Sequence, residues 1–247
     1  MHTYIYDSFV SQKKYLAALN ELETSLTDLG VGGRICRLSE LRSLRDIVKQ
    51  ELRREPKTLV VVGNDWIVHQ VLNLMIEFKV PLGLVPVGDQ KDNLIAAGLG
   101  ISLKEAPQIL SARRIVDMDL GVVNKKVFLR NAAWLADNVK IDIDDNYTIR
   151  ISKAKMELIN FLSGADSDYA GQNPSPEDGR LNLLINKKEG GWLKKEVSQT
   201  TICFKKIVID GAYQAIKLDN VSQTSSLENI EVLAKTLSVI VGKDRSF

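Results

Sequence analysis

The sequence predicts two domains of different class: an N-terminal three-layer α/β domain on a parallel sheet, residues 1–112, and a C-terminal antiparallel β-sandwich, residues 113–247. Two observations carry this division. Up to about Arg113, apolar runs of strand length alternate with stretches whose leucines recur every three or four residues, the pattern of a parallel sheet covered on both faces. Beyond it the helical spacing stops. Short segments of alternating polar and apolar residues then follow one another between tight turns, as in a sandwich.

In the first half, Thr3–Tyr6 reads as a short strand and Gln12–Leu29 as a helix with Leu16, Leu19, Leu22, Leu26 and Leu29 on one face. Gly32-Gly33 breaks the chain before a strand at Arg34–Leu38. Ser39 is placed to cap a helix that buries Leu41, Leu44, Ile47, Val48 and Leu52 and ends at Pro56. Leu59–Val62 is a β-branched run of the kind buried on both faces of a sheet. A helix over Ile67–Phe78, a strand at Leu82–Val87 and short helices at Asn93–Leu99 and Leu103–Leu110 complete the domain. In such a Rossmann-like arrangement ligands bind at the carboxyl ends of the strands. Here those ends lead into Asp7-Ser8, Gly63-Asn64-Asp65 and Gly88-Asp89-Gln90, which should meet at one cleft.

In the second half the expected strands are Arg114–Val123, Val127–Trp134, Lys140–Ile143, Tyr147–Ser152, Met156–Phe161, Leu181–Asn186, Thr200–Ile209, Gln214–Leu218, Ile230–Val232 and Leu237–Val241. Turns fall at Asp144-Asp145-Asn146, Glu189-Gly190-Gly191, Asp210-Gly211 and Asp219-Asn220. Ser163–Gly179, rich in Gly, Ser, Pro and Asp, reads as a loop.

Composition excludes several functions. The 33 basic and 31 acidic side chains nearly cancel, so no field argues for nucleic acid as a partner. The lysine pairs are too short to hold an anionic membrane. Cys36 and Cys203 lie far apart in apolar stretches and suit a reduced, cytoplasmic protein, and with only two histidines and no CxxC pair a structural metal site has no ligands. The N-terminus does not read as a signal peptide and no apolar run reads as long enough to span a bilayer, so a lipid is expected to be met at a membrane surface, as by a peripheral protein.

Five stretches, in order, resemble one family. LVVVGNDWIVHQVLN from Leu59 resembles the segment carrying the GGDGT signature of diacylglycerol kinases, sphingosine kinases and bacterial lipid kinases. PLGLVPVGDQKDNLIAAGLGI from Pro81 resembles the signature in which PLGTGNDFA runs on to LGI. RRIVDMDLGVVNKKVFLRNAA from Arg113 is similar to the start of that family's second domain, NPSPEDGRLNLLI from Asn173 to its DG-x-LD hairpin, and IKLDN from Ile216 with the following ENIEVLAKTLSVIVG to its DGE strand and closing strands. The NAD kinases use a similar GGDG loop on a related fold.

The resemblance implies an ATP- and Mg2+-dependent lipid kinase whose nucleotide contacts are Gly63, Asn64, Asp65, Gly88, Asp89 and Asn93. It implies metal ligands at Asp65, Glu177 and Asp178, and a general base at Asp219 that deprotonates a lipid hydroxyl. Several matched positions have changed: Asn64 and Trp66 stand for glycines, Ile67 for threonine, Asn182 for an aspartate and Val221 for the glutamate of DGE. A tryptophan there can fill the space of a phosphate, so the alternative is a catalytically inactive pseudoenzyme that binds a ligand, lipid or partner. Each position also has a purely structural reading. Asp65 suits a helix N-cap, Trp66 a core or interface aromatic, Glu177-Asp178 and Asp219-Asn220 turns, Lys91 a solvated loop, and His69 a packed helix residue. An edge strand of the sandwich offers a place for a homodimer.

Overall fold

The computed structural model describes residues 1–39, 43–164, 166, 169, 173–189, 196–213, 215–224 and 229–247. The expected Leu41, Gly190, Gly191 and Gln214 therefore lie outside the described residues.

Contacts divide the chain into two units: residues 1–118, 163–165 and 236–246 in one, and 119–162, 166–235 and 247 in the other. The sequence places its boundary at 112/113. The C-terminal segment groups with the first unit because Val239 pairs with Leu82, and the amides of Val241 and Gly242 donate to the carbonyls of Arg114 and Leu99 at 2.9 Å.

In the first unit four strands form a parallel sheet: β1 (His2–Tyr6), β2 (Gly33–Arg37), β3 (Thr58–Gly63) and β4 (Leu82–Pro86), in the order β2-β1-β3-β4. Tyr4 lies between Ile35 and Val60, and Val60 beside Gly83. Every residue of β1 and β3 is buried, because helices cover both faces. Alternate residues of β2 show the two faces. Arg37 reaches Glu23 of α1 (Leu16–Asp28), while Arg34 reaches Glu51 of α2 (Leu44–Leu52). The remaining helices are α3 (Asp65–Met75), α4 (Leu94–Gly98) and α5 (Ala106–Ala112). The Gln12–Leu29 helix begins as a 3₁₀ turn at Lys13–Tyr15, and the N-cap residue of α2 is Ser43, not Ser39.

The second unit is antiparallel. Its strands are β5 (Ile115–Val123, shared with the first unit), β6 (Lys126–Phe128), β7 (Asn131–Ile143), β8 (Tyr147–Ile159), β9 (Leu181–Glu189), β10 (Glu196–Phe204), β11 (Lys206–Tyr213), β12 (Ile216–Leu218), β13 (Ser222–Thr224) and β14 (Asn229–Ile240, also shared). The sheet runs β10-β9-β8-β7-β11-β14, with β12 alongside the start of β7. Val123 and Phe128 of the β5–β6 hairpin join Trp134, Met156, Leu183, Ile207 and Leu218 in one core. Three strands are longer than the sequence pattern suggests, since β7, β8 and β14 each join two expected segments. Conversely, Thr200–Ile209 is two strands that break at Lys205. Asp210-Gly211 lies inside β11, where Asn138 and Val139 of β7 bulge opposite the single Gly211, rather than at a hairpin turn.

Candidate functional site

In the first unit the carboxyl ends of β1, β3 and β4 come together. The Asp7 amide donates to the Val62 carbonyl at 3.0 Å, and the Val87 amide to the Gly63 carbonyl at 2.9 Å. Gly63 has no room for a side chain: a Cβ there would sit 2.6 Å from Cγ2 of Ile67 and 3.1 Å from Cβ of Asp7. Gly88 has φ +108°, which glycine reaches freely. Its nearest side-chain neighbours are Tyr15, Asn93 and Phe9.

The polar residues of these turns are engaged in holding helices. Asn64 is the N-cap of α3, and its side-chain oxygen accepts from the Trp66 amide at 3.2 Å. Asp65 is therefore not the cap of its own helix. It is 4% exposed, and its carboxylate accepts from the amides of Leu94 (2.7 Å) and Ile95 (3.2 Å), which closes the N-terminus of α4. Asn93, also buried, donates from Nδ2 to the carbonyls of Asp89 (2.9 Å) and Val87 (3.3 Å), stapling the turn between β4 and α4. Asp89 and Lys91 are exposed and 4.0 Å apart. His69 is buried, with Asn73 Nδ2 lying 3.4 Å from its Nε2.

Trp66 is 49% exposed, so it is not a core residue. The chain that follows β1 supplies further aromatic surface. Phe9 and Tyr15 meet edge to face at 5.6 Å, and the Lys14 ammonium lies 4.6 Å over the Tyr15 ring. Hydrogen bonding to Tyr15, with the charge of Asp89 adding to it, raises the pKa of Lys14.

In the second unit Asp219 opens the β12–β13 turn, and both Asp219 and Asn220 have positive φ (48° and 61°). The side chain does more than permit the turn. It is 2% exposed, and Oδ1 accepts from the amides of Arg130 (2.8 Å), Leu129 (3.2 Å) and Asn131 (3.2 Å), while Oδ2 lies 3.0 Å from the Leu129 amide. The Asp219 amide donates to the Asn131 carbonyl at 2.7 Å. Glu177 and Asp178 are exposed, and Asp178 accepts from the Arg180 amide at 2.8 Å, an ordinary side-chain turn.

Two buried residues that the sequence reading did not single out complete this region. Asp119 is fully buried in β5. Its two oxygens accept from the amides of Gly179 (2.6 Å) and Lys235 (2.7 Å), and burial raises its pKa. Asn160 donates to the carbonyls of Asp119 (2.8 Å) and Leu129 (2.7 Å). The available signal was a carboxylate at a buried step of an apolar strand, between Met118 and Leu120, which must find donors to be tolerated.

Of the expected metal ligands, Asp65 and Asp178 already serve backbone amides, while Glu177 is exposed. Among the described residues no three His, Cys, Asp or Glu side chains are grouped to hold an ion. Both Asp65 oxygens are already acceptors for α4, and Asp178 is committed to its own turn. A hard cation needs several free oxygen ligands.

Comparison with known proteins agrees with this architecture. Residues 3–123 match the family described as the diacylglycerol kinase catalytic domain. A crystal structure of a diacylglycerol kinase from Bacillus anthracis strain Sterne superposes with TM-score 0.79 and 18% identity, over 98% of this chain and 97% of that one. Yeast NADH kinase, solved with NADH, superposes with TM-score 0.54 and 11% identity, over 100% of this chain and 85% of that one. No curated protein matches by sequence.

Proposed function

Through residues 3–123 the chain belongs to the diacylglycerol kinase catalytic-domain family, and from that premise we propose that it binds a ligand on the kinase fold without transferring phosphate. The observation that carries this reading is the state of the loop after β3. An anion binds a helix N-terminus through free N–H groups and close backbone approach. Here the Trp66 amide already has the side-chain oxygen of Asn64, at a position where the resembling loop carries glycine. Ile67, at the threonine position, packs against Gly63. Trp66 brings an indole where glycine would bring only backbone.

Two further features support the same reading. Asp219 shares its carboxylate among three amides, which leaves little lone-pair capacity for a substrate proton. Of the expected Mg2+ ligands, Asp65 and Asp178 already accept backbone amides, which weakens the set for ATP with Mg2+. Ligand contact falls instead to the exposed surface of Trp66 and Lys14 with the adjoining Phe9 and Tyr15. Lipid, if that is the ligand, is met at a membrane surface, since no described helix is long and apolar enough to cross one. The free thiols of Cys36 and Cys203 suit a cytoplasmic protein.

The test is direct. Millimolar ATP with Mg2+ should leave the melting temperature unchanged, whereas a ligand at 100 times its Kd stabilises by about 2.7 kcal/mol. Labelled ATP should give no phosphatidate from diacylglycerol in mixed micelles. A raised melting temperature together with label transfer that Asp219→Asn abolishes would overturn the proposal in favour of an active lipid kinase.

A further inference from the structure

We infer that the guanidinium of Arg130, in the second unit, is an oxyanion site now occupied by the chain's own Asp166, and that a phosphate monoester displaces that carboxylate to bind there.

Arg130 lies in the link between β6 and β7, and its backbone is fixed on both sides. Its amide donates to Oδ1 of Asp219 at 2.8 Å, and its carbonyl accepts from the Asn160 amide at 2.9 Å. The side chain is 3% exposed. A buried guanidinium is tolerated when its donors find acceptors. Here they are only partly matched. Nη1 donates to both oxygens of Asp166, at 2.9 and 3.1 Å, while Nε is buried and has no acceptor among the described residues. The strong arrangement spreads two oxygens over two nitrogens of the fork. Asp166 instead places both of its oxygens on one nitrogen.

The occupant itself shows what the site selects and how it is reached. Asp166 is an oxyanion, and it is 24% exposed where Arg130 is not, so the pair meets solvent on the carboxylate side. It stands in no helix or strand. An anion arriving from solvent therefore takes the place of one side chain and leaves the sheet as it is.

The class of ligand follows from the competition. Asp166 is tethered, and a tethered group acts at an effective concentration in the millimolar range. A free carboxylate brings the same two oxygens and the same single charge, so it gains nothing over Asp166. A phosphate monoester carries close to two charges at neutral pH and three strong acceptor oxygens. It can serve Nη1 and also give Nε the acceptor that Asp166 leaves unsupplied. The Asp219 carboxylate, at the backbone of the same residue, opposes any second anion and keeps the affinity modest.

The test titrates the full chain calorimetrically with inorganic phosphate at constant ionic strength. The parent should bind phosphate and not acetate. Asp166→Asn removes the tethered competitor and should bind phosphate roughly tenfold more tightly. Arg130→Lys keeps the charge without the fork and should bind roughly tenfold more weakly than the parent. Asp166→Asn also strands a buried charge, so it should melt below the parent. Phosphate should raise its melting temperature more than that of Asp166→Asn with Arg130→Gln, the control for the general effect of phosphate on folded proteins. Glycerol 3-phosphate and vesicles carrying phosphatidate distinguish the source: binding of the first marks a soluble monoester, and binding of the second alone marks a lipid headgroup. A parent that binds phosphate in none of these forms, equal affinity in Asp166→Asn and the parent, or affinity unchanged in Arg130→Lys would overturn the proposal, the last showing an adventitious ion only. None of these readouts depends on whether ATP binds.

Discussion

If Asp219 is an anchor of the fold rather than a base held in reserve, removing its carboxylate must cost stability. Asp219→Ala leaves the amides of Leu129, Arg130 and Asn131 without their acceptor, and all three residues are buried. A hydrogen bond to a charged partner contributes about 1.5–3 kcal/mol, and a stranded buried donor loses a similar amount. One carboxylate serves all three amides, so the losses do not add. A total of about 3–5 kcal/mol is expected, the range for breaking a buried charged network. With a urea slope of about 2 kcal/mol/M, the midpoint should fall by roughly 1.5–2.5 M. Asp219→Asn keeps one oxygen at the position of Oδ1 and accepts the positive φ equally well, so its loss should be smaller, about 1–2 kcal/mol. Urea unfolding gives these values. Amide exchange supplies the local readout, since protection at Leu129–Asn131 should drop before that of the sheet centre. An Ala variant that unfolds at the parent midpoint with those amides still protected would refute the anchoring role and return Asp219 to the list of candidate bases.

Two further outcomes follow from two of the other buried carboxylates. Asp65→Ala uncaps α4 by freeing the amides of Leu94 and Ile95 and should lower stability by about 1–3 kcal/mol in thermal or urea unfolding. An effect below about 0.5 kcal/mol would show that α4 is held by packing alone. Asp119 predicts an unusual pH response. Burial raises its folded-state pKa above the ordinary 3.8, so the native state takes up this proton more readily than the unfolded chain. The ionised group therefore costs stability at neutral pH. That cost is relieved as pH falls through the raised value, fully so below 3.8. Stability of the parent relative to Asp119→Asn should rise on acidification across that window, measured by urea unfolding at stepped pH. A flat or falling difference would contradict it.

The parallel half was readable because its strands are buried on both faces. Val60, Val61 and Val62 are apolar without interruption, and the leucines of α1 repeat at helical spacing. The antiparallel half was readable in class but not in strand length, and the reason is local. Asn138 and Lys235 take φ of +50°, which kinks a strand and disturbs the polar–apolar alternation while pairing resumes on the far side. β8 reads as two segments because Ser152 and Lys153 are both exposed, which breaks the alternation before it resumes at Ala154. Lys205 misleads in the opposite sense, because the two strands that meet at it, which pair with different neighbours, preserve an unbroken β-like composition.

What local sequence cannot convey is which distant amide a carboxylate will meet. Asp65 looks like a cap for the helix it begins, yet its donors lie 29 and 30 positions later. Asp219 looks like a turn residue or a base, and its donors lie 88 to 90 positions earlier. The changes at the phosphate loop, by contrast, are legible, and they act together. Asn64 supplies an acceptor to the amide a phosphate would want, Ile67 fills the volume beside Gly63, and Trp66 replaces a bare backbone with an indole. Reverting one leaves the other two in place. Asn64→Gly by itself should therefore cost the α3 cap without creating nucleotide affinity, because freeing one N–H adds neither room nor the second donor that a phosphate requires.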